Sequence, residues 1–140
     1  MANKNNVSKY LQSILLLIPI LFLVGGCVTA KQKKLDAGIK PLNDQGFQAL
    51  FSKPFEATFI SSKNGRTSNL QYFPDGTQKL SNTKITDEGT WRIVNGDQCS
   101  KWKTIRKGVE KCGTWFEIAD GKYEIYLSPE GSKHGVLTVK

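Results

Sequence analysis

From Pro54 to the C-terminus the chain is a series of short runs in which apolar and polar residues alternate, broken by turn-forming clusters. A period of two sends successive side chains to opposite faces of a strand, so each run can bury one face only. The breaks are Asn64-Gly65, Pro74-Asp75-Gly76, Asn95-Gly96, Asp120-Gly121 and Pro129-Glu130-Gly131, the residue types that reach positive φ or pre-set a tight turn. Parallel strands need crossovers of a dozen residues or more, and the spacing leaves no room for them. The pattern predicts an all-β domain of about eight strands in an antiparallel meander. Such a meander closes into a small barrel or folds into a compact sandwich to dispose of its edges.

The turns also predict registers. A two-residue turn at Asn64-Gly65 sets Phe59 opposite Leu70 and Ala57 opposite Tyr72, all on one face. Asn95-Gly96 joins a run ending at Val94 to one starting near Gln98, with Trp91 and Ile93 on one face and Arg92 on the other. Asp120-Gly121 sets Ile118 against Tyr123, Phe116 against Ile125 and Thr114 against Leu127, leaving Glu117 and Glu124 on the wet face. Ahead of the strands, Phe47, Leu50 and Phe51 fall at i, i+3 and i+4 behind a possible Asp44 cap. One short helix is expected there, its apolar stripe covering an open end of the sheet or barrel.

The N-terminus follows a different rule. Met1 to Lys9 carries Lys4 and Lys9 and no acid, Ile14 to Val24 is apolar apart from Pro19, and Val24-Gly25-Gly26-Cys27 closes the run. Basic, apolar and small residues in that order mark an export signal, and the run is short of the roughly 20 residues that span a bilayer. The Cys27 ending resembles the lipobox of bacterial lipoproteins. That resemblance implies a signal peptide over 1–26, cleavage after Gly26, and Cys27 as an acylated first residue, with 27–42 a flexible linker and 43–140 a periplasmic β domain. Val28, where Asp would favour inner-membrane retention, implies an outer-membrane lipid anchor facing the periplasm.

With Cys27 taken by lipid, Cys99 and Cys112 form an even pair in an oxidising compartment, so a disulfide is the natural reading and two buried thiols the alternative. A strict ladder joining them turns at Ile105-Arg106, whereas Gly108 is the obvious loop residue; a bulge would reconcile the two. Two cysteines and one distant histidine fall short of a four-ligand metal set, and no cofactor is expected.

Export removes two lysines and no acid from a formal net charge of +8. A basic periplasmic domain suits an anionic envelope ligand or an acidic protein, and export argues against nucleic acid as a partner. The expected catalytic set is empty: His134 is the single histidine, beside Gly135 in an expected loop, and the acids are scattered, with Asp87-Glu88 reading as strand-edge solvation. The candidate binding surface is the hairpin Lys101, Trp102, Lys103, Arg106 and Lys107, with Arg92 from the neighbouring strand. Cations bracketing an aromatic suit an anionic group; the plainer alternative is a soluble hairpin with Trp102 in the core.

Taken in order, Pro74-Asp75-Gly76, Gly89-Thr90-Trp91, Cys99-x-x-Trp102 and Cys112 resemble a family of small exported proteobacterial proteins of unknown function, over most of Leu50 to Gly131. Gly89-Thr90-Trp91 is also similar to lipocalins, although the chain is short for their full barrel and long loops. The resemblances imply a lipocalin-like barrel or compact sandwich and leave activity open. The expected function is a non-catalytic binding module for an envelope component or partner. Alternatives are an inhibitor of a cell-wall lytic enzyme, since lipoprotein inhibitors of lysozyme share this format, and a structural assembly factor.

Overall fold

The computed structural model describes residues 28–140, so the expected export signal and Cys27 lie outside the described residues. Eight strands follow one another around a closed antiparallel barrel: β1 Phe55–Ser61, β2 Thr67–Tyr72, β3 Thr77–Ser81, β4 Thr86–Val94, β5 Asp97–Trp102, β6 Lys111–Ala119, β7 Lys122–Ser128 and β8 Lys133–Val139. β8 returns to pair with β1, with Phe59 opposite Leu137. The chain manages this despite its length because the strands are only five to nine residues long and their connections are short. Closure removes every free sheet edge.

Two short helices precede the barrel, where the sequence predicts one. α1, Ala30–Asp36, occupies the segment expected to be a flexible linker. Thr29 caps it, its hydroxyl accepting from the Gln32 amide at 3.1 Å. α2, Asp44–Leu50, is the expected helix, but its cap is Asn43, whose Oδ1 accepts from the Gly46 amide at 2.9 Å, rather than Asp44.

α2 closes one end of the barrel, which we call end A. Phe47 is fully buried against Trp115, ring centroids 5.6 Å apart. Phe51 contacts Phe55, Tyr72 and Trp91 at 5.1, 5.1 and 4.2 Å. Edge-on and tilted aromatic pairs of this kind each contribute about 0.5–1.5 kcal/mol beyond the area they bury. The Trp91 indole N–H donates to the Phe73 carbonyl at 2.9 Å.

Two registers differ from expectation. Ala57 lies opposite Leu70, and Phe59 opposite Ser68. A four-residue loop, 62–65, replaces the two-residue turn, with Ser61 N–H donating to the Arg66 carbonyl and Gly65 at φ 65°. The shift is by two residues, so the predicted face is kept. In the β6–β7 hairpin a β-bulge between Glu117 and Ala119 displaces the ladder by one, placing Trp115 opposite Ile125 and Phe116 opposite Glu124. A one-residue shift exchanges faces: Trp115 points inward, and Phe116 lies outward, packed edge-on against Tyr126 at 5.5 Å. Asn95-Gly96 forms the expected two-residue turn with both residues at positive φ.

α1 lies along the outside of β7. Its Lys31 amide donates to the Gly131 carbonyl, and the Leu42 amide beyond it donates to the Trp115 carbonyl. β5 pairs with only three residues of β6, so Leu42 satisfies a strand carbonyl that this short ladder leaves open. Lys34 and Lys133 both pair with Glu124, whose side chain is 14% exposed. Burial acts to raise the Glu124 pKa, but Lys133, Lys34 and the Tyr126 hydroxyl outweigh it and bring the carboxyl down to about 2.

Candidate functional site

The end opposite α2, end B, is formed by the loops after β1, β3, β5 and β7, and it is open. A cavity of about 400 Å³ runs into the barrel from there, toward the low end of the roughly 300–1,000 Å³ usual for small-molecule sites. Its wall is mainly apolar: Phe59, Leu70, Leu80, Trp102, Ile125 and Leu127 line it. Deeper polar groups are satisfied among themselves. Gln98 Nε2 donates to Ser100 Oγ, Ser100 donates to Gln78 Oε1, and Gln78 Nε2 donates to the Thr90 carbonyl, at 2.9, 3.1 and 2.9 Å.

The rim carries charge of one sign. Lys63, Arg66, Arg106 and Lys111 contribute to the lining, and no Asp or Glu does. Lys111 is paired with Glu130 at 2.9 Å. Among the described residues Lys63, Arg66 and Arg106 have no carboxylate partner.

Arg106 is placed by the β5–β6 connection. This loop holds a 3-10 segment, Ile105–Gly108, in which Arg106 and Lys107 adopt φ 56° and 54°. Asp87 fixes it: one carboxylate oxygen accepts from the Thr104 and Ile105 amides at 3.0 and 2.8 Å. Burial raises the Asp87 pKa, and the Ile105, Thr104 and Glu88 donors more than reverse this, holding the carboxyl below its usual range. The sequence reading of Asp87 as edge solvation is therefore corrected: it is 5% exposed and clamps the mouth loop. The sequence signal available was an acid at an inward position of the alternation, shared with Trp91 and Ile93.

His134 is also corrected. It lies in β8, at an irregularity where Ile125 faces Gly135 and Tyr126 faces Lys133, and such a bulge re-aims a side chain. The ring packs on Phe59 at 5.0 Å, and Nε2 lies 3.4 Å from Arg106 Nη2. Burial first, and the Arg106 charge second, bring its pKa down to about 4, so the ring is neutral at pH 7. The Arg106 guanidinium is itself pushed down by burial, and its Nη1 is buried without a hydrogen-bond partner.

The hairpin residues expected to form one basic surface are distributed. Trp102 is buried inside the barrel at 5% exposure, as in the plainer reading. Arg92 is held by Glu110, Nε and Nη2 donating at 2.9 and 2.6 Å. Lys103 is held by Glu88 at 2.8 Å. Lys101 and Lys107 are exposed. Of these expected cations only Arg106 lines the cavity, where Lys63, Arg66 and Lys111 join it.

Cys99 and Cys112 are directly opposed across β5 and β6, with sulfurs at a bonding distance of 2.02 Å. No bulge intervenes in this pairing; the wide loop 103–110 absorbs the mismatch between ladder and glycine. Glu110 lies close to both sulfurs, but bonded sulfurs are not two thiolate ligands, so this grouping does not constitute a metal site. Among the described residues no helix is long and apolar enough to cross a membrane. No family model, curated protein or solved structure matches the chain.

Proposed function

We propose that the protein is a lipoprotein, anchored in the outer membrane through Cys27 and facing the periplasm, that binds an anionic envelope component without catalysis. The site is the mouth of the barrel at end B. One observation carries this reading: an apolar cavity whose lining includes four cations and no carboxylate. An apolar body fills the barrel, and its anionic end meets Arg106, Arg66 and Lys63. Arg106 Nη1 is a buried donor without a partner, and donating a charge-assisted hydrogen bond to an anion would satisfy it. The neighbour of His134 Nε2 is a cation, an arrangement that favours a neutral ring over a poised general base.

The test is titration of the full-length, detergent-solubilised protein with 8-anilinonaphthalene-1-sulfonate, an apolar probe with one anionic group. Saturable one-to-one binding is expected, weakened at least about tenfold by Arg66→Gln with Arg106→Gln, since each charged hydrogen bond is worth about 1.5–3 kcal/mol. Lys101→Glu with Lys103→Glu is expected to leave it unchanged. Absent binding, or equal affinity in the Arg66/Arg106 variant, overturns the reading. Mass spectrometry of the same preparation tests the acyl mass on Cys27.

A further inference from the structure

The path of the chain over the barrel fixes which end an anchor holds. Thr29 sits against the β7–β8 connection at end B: a Cβ placed on Gly131 would come within 2.6 Å of Thr29 Oγ1. Gly131 also has φ 68°, so two constraints favour glycine at this close approach. The Lys31 amide donates to the Gly131 carbonyl at 3.1 Å. From there α1 runs along β7 to Glu124, away from the mouth. Cys27 is two residues before Thr29, and two residues of chain span at most about 7 Å.

The end-B loops have the surface character of a bilayer contact. Val28, Ile85 and Val109 are exposed there at 55%, 42% and 55%. Lys63, Lys84 and Lys107 lie in the same loops and are exposed, and none has a carboxylate partner among the described residues. Apolar side chains interleaved with cations suit the interface of an anionic membrane. End A is less apolar in its loops: among the described residues its exposed large apolar side chains are Ile118, within β6, and Ile39, in the segment leading into α2.

We infer that the open mouth of the barrel faces the bilayer holding the anchor, and that it takes from that bilayer a single-chain amphipath with an anionic head. This rests on the proposed lipid anchor and mouth site. The cavity volume, about 400 Å³, suits one acyl chain rather than a two-chain lipid. The chain would lie along Trp102, Leu70 and Ile125, and the head would remain at the rim with Arg106. A mouth against the membrane lets the tail pass between two apolar surroundings without crossing water.

The experiment uses the full-length lipidated protein in vesicles of phosphatidylcholine and phosphatidylglycerol. A membrane-impermeant amine-acylating reagent reports on lysines. Lys63 and Lys107 at end B are expected to react at least about fivefold more slowly than in detergent, while Lys53 and Lys122 at end A keep their rates. Lysophosphatidylglycerol brominated in its acyl chain is then added. Trp102 lines the cavity, whereas Trp91 and Trp115 belong to end A, so saturable quenching is expected that Trp102→Phe removes and Arg106→Gln shifts to higher lipid. Equal protection of both ends overturns the orientation even if the sulfonate probe binds. Quenching that is equal for brominated lysophosphatidylcholine overturns the anionic head. Loss of sulfonate binding as well identifies a failure of the mouth site itself.

Discussion

The two ends of this barrel are built from the same strands and could hardly differ more. At end A, α2 inserts Phe47 and Phe51 among Trp91, Trp115 and Tyr72, and the interior is filled by aromatic contact. At end B no helix covers the opening, and the residues that reach inward include cations and a neutral histidine. An eight-stranded barrel is just wide enough for its own side chains to fill or for one small ligand. Here side chains fill end A, and end B holds an open cavity. Folding stability is therefore expected to reside at end A and binding at end B, and substitutions at the two ends should separate these properties.

The largest effect is expected at end A. Trp115 is fully buried and contacts Phe47 and Tyr123 at ring-centroid distances of 5.6 Å each. Trp115→Ala should cost about 3–5 kcal/mol in urea unfolding, the usual range for a large aromatic in a core. Ile105→Ala at the mouth, where the residue is only half-buried, should cost about 1–2 kcal/mol on the same scale. A similar cost at both ends would contradict the division.

Next is the disulfide, which ties β5 to β6 at the base of the mouth loop. Its sequence separation is 13, and closing a loop of that size is worth about 3 kcal/mol on the chain-entropy account. Cys99→Ser with Cys112→Ser should lower stability by about that amount. Hydrogen exchange should accelerate most in 103–110, with α2 little changed; acceleration confined to α2 would show that the crosslink does not hold the mouth.

This division was only partly legible in the sequence. Alternation and turn residues suffice for the meander, and the Phe47, Leu50, Phe51 stripe suffices for the plug, because both rest on local periodicity. The bulge at Ile118 leaves no local mark, yet it reverses the faces of Trp115 and Phe116. The mouth depends on contacts between distant loops, such as Arg106 with His134 and Asp87 with Thr104; alternation marks Asp87 as inward, but linear spacing does not name either partner. α1 was obscured because its sequence is rich in lysine; what fixes it is Glu124, some ninety residues further on.

The third effect is a pH dependence centred on the mouth. His134 has its pKa brought down from 6.5 to about 4, so between those values the unfolded chain binds more protons than the native one. Stability is then full above about pH 6.5 and falls as pH drops toward 4. The groups facing the ring are the Arg106 guanidinium and Phe59, with Lys63 and Arg66 sharing the mouth. At 1.36 kcal/mol per unit and with some allowance for partial exposure, the loss is about 1–3 kcal/mol. His134→Phe should flatten this window. Glu124, at about 2 against an ordinary 4.5, should be lost only below pH 4.5, and its loss should release α1. A single acid transition for both would break the distinction between mouth and helix tie.

The smallest stability effect, and the sharpest separation, is expected at Arg106. In a purely structural role its removal would be destabilising. The guanidinium instead has a buried Nη1 without a partner, a pKa pushed down by burial, and a backbone at φ 56°. An unsatisfied buried donor costs about 1–3 kcal/mol, so replacing it with an unbranched apolar side chain removes a penalty along with the packing of its stem. Arg106→Met should therefore leave the unfolding free energy in urea within about 0.5 kcal/mol of the parent, or raise it slightly, while sulfonate-probe affinity falls at least about tenfold. Arg106→Gly, which also relieves the positive φ, should bind as weakly. Stability and affinity falling together would mean that Arg106 supports the mouth loop; stability retained with affinity lost would mean that its charge is kept for what enters the barrel.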